Sequence, residues 1–323
     1  ATGPMTGTGA STGGRWSVIT KGALTGAIAC SNSGGHFGGE LKTAGWDMII
    51  FEGRAPKPVY LYIQNDKVEI LDADGFIWGH TVWETEDMVC NRHHDPEIKL
   101  ASIGVAGEQG VKYACVVNDR DRAAGRSGVG TVMGSKNLKT VAVRGTKGVS
   151  VDDPKKFLAV SAAASAKLNA TADAKRRSAV GTMAMMDVTN SWGCLPTRNC
   201  QDVQFEGAHN INVAAMLRIR KSDGKSNLKT NKGCFACTIA CGRVSVIDPT
   251  HFSIRDKGDK YKGAEGGLEY EGGFALGPFC GVDDIEAATY AQALCNEHSM
   301  DPISFGATLG AAMELFEIGA ITT

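Results

Sequence analysis

Three cysteines fall within eight residues, Cys234-Phe-Ala-Cys237-Thr-Ile-Ala-Cys241. Thiolates at these separations converge on one iron–sulfur cluster when a fourth ligand arrives from elsewhere. Zinc is the main competitor, but it favours paired Cys-x-x-Cys units or Cys/His sets, and no histidine lies in the segment; His251 is downstream. The spacing is the reverse of the radical-SAM order, which argues against that chemistry. Free buried cysteines are common as packing residues, yet three in so short a stretch disfavour a packing role. The fourth ligand is open between Cys280 and a cysteine beyond Thr323.

A second group consists of arginines set among glycines: Thr12-Gly-Gly-Arg15, Ser31-Asn-Ser-Gly-Gly35 and Asp121-Arg-Ala-Ala-Gly-Arg-Ser-Gly128. Backbone without side chains lets amides and carbonyls approach a bulky ligand, and guanidinium forks suit phosphate. Together they suggest an organic cofactor carrying phosphate. For any one loop the plainer reading is a tight turn beside a surface charge. Familiar nucleotide loops are not present: Gly128-Val-Gly130 is followed by Met133 where a dinucleotide fingerprint needs glycine, and Gly134-Ser-Lys-Asn137 lacks the Walker spacing and hydroxyl. Glu269-Tyr-Glu271 precedes an apolar, glycine-containing turn. A carboxylate desolvated there would serve as a general acid or base; two solvated surface glutamates are the alternative.

The elements that must position these groups divide near Gly145-Thr-Lys-Gly148. Before it, runs at 47–51, 59–63, 67–71, 111–115 and 140–144 read as strands, with Gln64-Asn-Asp66 as a hairpin turn and helices at 40–44 and 81–90. After it, Asp152-Asp-Pro154 opens an alanine-rich helix to about Leu168. Asp283-Asp284 caps another to about His298. A last helix starts at Asp301-Pro302, with Leu309, Met313 and Phe316 as its apolar stripe before Gly319. His251 to Gly267 reads as an exposed loop. The expected fold is therefore α+β, a β-rich domain over 1–149 followed by a mainly helical domain over 150–323.

Composition sets outer limits. The 323 residues carry 34 Lys+Arg against 35 Asp+Glu, a net charge of −1, which gives no electrostatic preference for nucleic acid or anionic membrane. At 43% hydrophobic the chain is globular. No window supplies the roughly 18 apolar residues of a spanning helix, and the start lacks signal-peptide regions, so a cytoplasmic protein is expected. Glycine is abundant, with 41 in total, nearly double the usual fraction of about 7%.

The chain resembles the tungsten-containing aldehyde:ferredoxin oxidoreductases. The likeness runs in family order through Thr2-Gly-Pro-Met-Thr-Gly7, Gly13-Gly-Arg15, Leu24-Thr-Gly26, Asn32-Ser-Gly-Gly35, Glu40-Leu-Lys42, Ala44-Gly45 and Ala106-Gly-Glu108. It continues through Arg122-Ala-Ala-Gly-Arg126, Met133-Gly-Ser-Lys-Asn-Leu-Lys139, the cysteine segment with Gly242-Arg243, Glu269-Tyr-Glu271 and Ala275-Leu-Gly277. The resemblance implies a longer whole protein, with a β segment before Thr2 and a helical domain after Thr323.

It also implies a tungsten bis-pterin seated on the first domain. Arg15 would lie near its phosphates, backbone carbonyls of Asn32 and Ala123 would bind a bridging magnesium, and Ser33, Gly34, Gly35, Arg122 and Gly125 would line the seat. Cys234, Cys237 and Cys241 would hold a [4Fe–4S] cluster, and Glu271 would be the carboxylate beside the metal. Two departures stand out. The family's pterin-binding Asp-x-x-Gly-Leu-Asp reads Asn296-Glu-His-Ser-Met-Asp301, leaving Asn296 and Met300 as altered contacts. Tyr290 and Ala293 replace the Glu-x-x-His pair that holds a dimer-bridging iron in some members, so that iron is not expected.

The implied reaction is oxidation of an aldehyde to its carboxylic acid, with electrons passed through the cluster to ferredoxin or an iron–sulfur partner subunit, in a homo- or hetero-oligomer. The alternatives are a subunit of a tungsten-dependent aromatic acyl-CoA reductase and, from another class, a cofactor-less zinc-binding scaffold.

Overall fold

A computed structural model describes residues 1–263 and 266–322. Alternation along Val59-Tyr-Leu-Tyr-Ile63 sends Tyr60 and Tyr62 to one side of a sheet and Leu61 and Ile63 to the other, and both sides are buried. The chain begins with a hairpin, β1 (Trp16–Lys21) and β2 (Ile28–Ser33), in the register Trp16 opposite Ser33. After helix α1 (Phe37–Thr43) come β3 (Val59–Gln64) and β4 (Lys67–Asp72). Next are α2 (Val82–His93), β5 (Lys99–Ser102) and the short α3 (Val105–Glu108). Strands β6 (Val116–Asn118) and β7 (Arg122–Ala124), helix α4 (Val129–Ser135) and β8 (Leu138–Arg144) complete the sheet. Its order is β4-β3-β8-β5-β6-β7, antiparallel except for the β3/β8 pair.

One face of this sheet packs Leu61, Ile63, Val141 and Val143 against Trp16, Phe37, Leu41 and Val129. The other packs Tyr60, Tyr62, Leu100 and Ala142 against Ile77 and Val89. Helix α2 starts where expected because Thr81 and Glu84 cap each other's backbone amides, at 3.3 and 2.9 Å. A buried ion pair, Lys139 with Glu108, fastens β8 to the loop before α2: the ammonium also donates to the His80 carbonyl at 2.6 Å, and Glu108 accepts the Gly79 amide at 3.0 Å.

Two expected strands are not formed. Residues 47–51 carry no regular structure, and Met48, Ile50 and Phe51 are exposed; they border an apolar hollow of about 270 Å³ with β1. The run 111–115 is a turn, closed by the Ala114 amide on the Val111 carbonyl at 2.9 Å, and its other backbone bonds are divided among Ala106, Gly130, Ser299 and Asp301 rather than laid into a sheet. The strand begins only at Val116.

Helices α5 (Pro154–Ala170) and α6 (Ala172–Val180) follow, the first capped by the Asp153 carboxylate on the Lys156 amide at 3.0 Å. Then come α7 (Met185–Ser191), α8 (Val213–Leu217), the pair β9 (Leu228–Lys232) and β10 (Gly242–Ser245), and α9 (Tyr270–Leu276). The chain ends with α10 (Ile285–His298) and α11 (Pro302–Glu317). Met183, Met186, Phe205, Ile211, Met216 and Leu276 lie at the centre of the core here.

The last helix exists as the sequence suggests, but with a different inner face. Leu309, Met313 and Phe316 are 39–54% exposed, while Gly306 and Gly310 press against Ala275 and Phe279 so closely that a Cβ on Gly306 would lie 2.3 Å from the Ala275 carbonyl. Residues 251–263 form turns anchored by buried Ile254 and Tyr261; Ala264 and Glu265 of the expected loop lie outside the described residues.

The fold is α+β. Two compact units are formed, the first from Ala1–Ala174, Gly233–Ile239 and Asn296–Asp301, the second from Lys175–Lys232, Ala240–Cys295 and Pro302 onward. The composition change near residue 149 falls just before α5, whereas the units part after Ala174. Among the described residues no helix is long and apolar enough to cross a membrane.

Candidate cofactor and metal site

Most of the expected site residues belong to the first unit, and Arg15, Ser33, Gly34, Gly35 and Cys234 meet at one loop, Ser33–His36. β2 delivers Ser33 into the interior, where its hydroxyl donates to Asn118 Oδ1 at 2.7 Å, and Asn118 Nδ2 donates to the Gly34 carbonyl at 3.0 Å. Asp119, at the end of β6 in left-handed conformation (φ 51°), accepts the His36 amide at 2.5 Å and Asn118 Nδ2 at 2.8 Å. Burial acts to raise its carboxyl, but hydrogen bonding from His36 outweighs this and holds it below the ordinary range. Gly35 has φ +82°, and a Cβ there would fall 2.0 Å from Asp119 Oδ2, so this position tolerates only glycine.

The other side of the loop carries the cysteine segment. A Cβ on Gly34 would lie 2.7 Å from Cys234 Sγ and 3.4 Å from Arg15 Nη1. The Phe235 amide donates to the Gly35 carbonyl at 3.0 Å, and its ring lies over Gly39, 2.9 Å from a would-be Cβ. The Thr12 amide donates to the Ala236 carbonyl at 3.1 Å. Thus the thiol of Cys234 and the guanidinium of Arg15 flank one glycine. Ala236 and Ala240 each adopt left-handed conformation, φ 51° and 50°, directly before Cys237 and Cys241. Such angles are uncommon for alanine and persist only where the surroundings enforce them.

Arg15 and Asn32 are exposed and border a hollow of about 380 Å³ with Thr12, Gly13 and Ser17; Asn32 Nδ2 donates to Ser17 Oγ at 2.9 Å. Arg122 and Ala123 lie in β7 beside β6, half-buried. Gly125 faces open space, with nothing within 4 Å of a would-be Cβ. The segment 296–301 joins the same unit. The Ser299 carbonyl accepts the Cys115 amide at 2.8 Å, Ser299 Oγ accepts the Gly104 amide at 2.7 Å, and buried Asp301 pairs with Arg126 at 3.4 Å. Asn296 is buried and Met300 bridges to Ala114.

Cys241 and Glu271 belong to the second unit. Glu271 is exposed in the first turn of α9, whereas Glu269 is half-buried and accepts a hydrogen bond from Thr182 Oγ1. Two residues after Cys241, Arg243 is 1% exposed. Its Nη1 donates to the Gly242 carbonyl at 3.0 Å and its Nη2 to the Arg177 carbonyl at 3.2 Å, while Nε has no partner. Burial pushes this guanidinium down, against an upward pull from Glu269 and Cys241.

Cys280, one open choice for a fourth ligand, points its thiol at the carbonyls of Ala275 and Gly306 at 3.4 and 3.5 Å, and burial pushes it up to about 11. Among the described residues no three His, Cys, Asp or Glu side chains are grouped tightly enough for a single metal ion. A four-iron cube holds its thiolates farther apart than one ion does, and all ten cysteines are free. In the first unit the thiols of Cys234 and Cys237, with a glycine packed against Cys234, are donors of the chemistry a cluster takes.

Asn118, Asp119 and Phe235 are not visible as site residues in the sequence. The signal for the first two is an Asn-Asp pair ending an apolar strand, a pattern shared with ordinary turns.

A loop whose one glycine lies against both a guanidinium and a thiol, in an α+β fold, offers the donor types that a metal–organic cofactor takes. Family models match 1–145 as the aldehyde ferredoxin oxidoreductase N-terminal domain and 159–323 as domains 2 and 3 of the same family. The chain belongs to the aldehyde ferredoxin oxidoreductase family. It is 47% identical over 322 residues to the tungsten-containing aldehyde ferredoxin oxidoreductases of Pyrococcus abyssi and Pyrococcus horikoshii, covering 99% of this chain and 50% of each relative. It therefore spans about half the length of the curated relatives it matches. The active-site complex BamBC of benzoyl coenzyme A reductase, solved with 1,5-dienoyl-CoA, superposes with TM-score 0.76 at 26% identity, over 98% of this chain and 47% of that one.

Proposed function

We propose that this chain is the cofactor-bearing part of a tungsten-pterin enzyme that oxidises aldehydes to carboxylic acids and passes the electrons through a [4Fe–4S] cluster to ferredoxin or an iron–sulfur partner. The supporting observation is the single loop at Gly34 that touches both Cys234 and Arg15. Tungsten held by pterin dithiolenes supplies two-electron redox chemistry and polarises the carbonyl substrate.

The chain's own residues do the rest. Arg15 would lie near the pterin phosphates, and the Asn32 and Ala123 carbonyls would bind magnesium. Ser33, Gly34, Gly35, Arg122 and Gly125 would line the seat, with Asn296 and Met300 as altered contacts. Cys234, Cys237 and Cys241 bind the cluster, and the exposed carboxylate of Glu271 takes up or releases protons at the reacting centre. Ten free thiols suit a reducing compartment, which supports a cytoplasmic protein.

The acyl-CoA reductase reading rests on the 26% identical BamBC chain; the 47% identity to aldehyde-oxidising relatives favours the first. The test is metal and pterin analysis of the natural gene product purified without oxygen, with aldehyde-dependent reduction of a viologen dye. Tungsten, iron and aldehyde turnover support the proposal; zinc alone, or turnover only with an acyl-CoA, overturns it.

A further inference from the structure

A guanidinium does not lose its proton inside a protein, and a buried charge needs a counter-charge or strains the fold. Arg243 is 1% exposed, and its hydrogen-bond partners are the neutral carbonyls of Ala240, Gly242 and Arg177. Among the described residues no carboxylate pairs with it: Glu269 pulls on it electrostatically but makes its own hydrogen bond with Thr182. Its Nε–H is buried with no acceptor. Gly181, at φ +62°, lies so close that a Cβ would be 2.6 Å from Nη2, so the guanidinium is held in place by surrounding backbone. The negative group nearest in sequence is the thiolate Cys241 becomes when it binds metal.

We propose that Arg243 is the built-in counter-ion of the iron–sulfur cluster, a positioning residue that holds the cluster's reduction potential up. The inference rests on the functional reading above, in that it requires Cys241 to carry iron. A cluster ligated by thiolates is anionic and gains one further negative charge on accepting an electron. A fixed neighbouring cation therefore favours the reduced form, and net charge and hydrogen bonding are among the levers that set such potentials.

The experiment is a dye-mediated reductive titration of the natural gene product, following the reduced cluster by electron paramagnetic resonance, for wild type, Arg243→Lys, Arg243→Gln and Arg243→Met. The expected result is iron content near wild type in all four. At the wild-type midpoint, the reduced-to-oxidised ratio falls about tenfold in the Gln and Met variants, which is about 59 mV for a one-electron couple, and changes less in Lys. Methionine, an apolar filler of similar length, decides the matter should glutamine fail to fold. Wild-type potentials in the neutral variants, with only a lower melting temperature, would reduce Arg243 to a backbone clamp and overturn the inference. Absence of iron from the wild type would instead overturn the functional reading.

Discussion

Gly34→Ala is the sharpest test of the loop that joins the cofactor seat to the cysteine segment. The new methyl carbon would sit 2.7 Å from Cys234 Sγ, where comfortable contacts begin near 3.5–4.0 Å, so the sulfur and the loop must part by about 1 Å. Gly34 is also tied to Asn118 through its carbonyl, which leaves the cysteine segment as the side that yields. Overpacking of this kind costs about 1–3 kcal/mol, within the stability of a folded domain, and a 1 Å misplacement near reacting groups costs about 100-fold in rate. The assay is iron per chain and the visible absorbance of the cluster, with melting temperature as the control for folding. Gly125→Ala is the matched variant: nothing lies within 4 Å of its Cβ, so it keeps its iron. A folded Gly34→Ala protein with full iron and an unaltered spectrum would refute the assignment of Cys234 beside this loop.

Glu271→Gln is expected to keep its metals and slow turnover by about 100-fold, the usual scale for losing a general acid or base; unchanged steady-state rates remove Glu271 from proton transfer. Lys139→Met strands buried Glu108 and is expected to cost about 3–5 kcal/mol in denaturant titration, a cost that would be missing if the pair were solvated. Asp248 is held down to about 2, chiefly by its hydrogen bond from Ser222. A depressed carboxyl contributes stability above its unfolded value near 4 and loses it as pH falls toward 2. Asp248→Asn should therefore flatten the loss of melting temperature between pH 4 and 2, and an identical acid limb would contradict the assignment.

Much of the framework was legible in residue order. The runs at 59–63, 67–71 and 140–144, and Asp153-Pro154 and Asp284 at helix starts, become elements because local pattern and tertiary demand agree there. The β1–β2 hairpin was not, since Trp16-Ser-Val-Ile-Thr-Lys21 and Ile28-Ala-Cys-Ser-Asn-Ser33 are half polar, their inward positions being Ser31 and Ser33 as well as Trp16 and Ala29. At 111–115 an apolar run gives the Tyr113 carbonyl and the Cys115 amide to a segment some 190 residues away, which no local window reports. The cysteine spacing and the glycine–arginine loops were visible; that Cys234 and Arg15 flank the same glycine was not, because that relation is made by folding alone.

The first unit takes its last strap, Asn296–Asp301, from far along the chain. During synthesis, at roughly 5–20 residues per second, Asp301 emerges of order ten seconds after Ala174. For that interval the nascent cradle lacks Ser299 against Gly104 and Asp301 against Arg126. A prosthetic group that needs this edge can be loaded only after Asp301 has left the ribosome, not while the sheet stands alone.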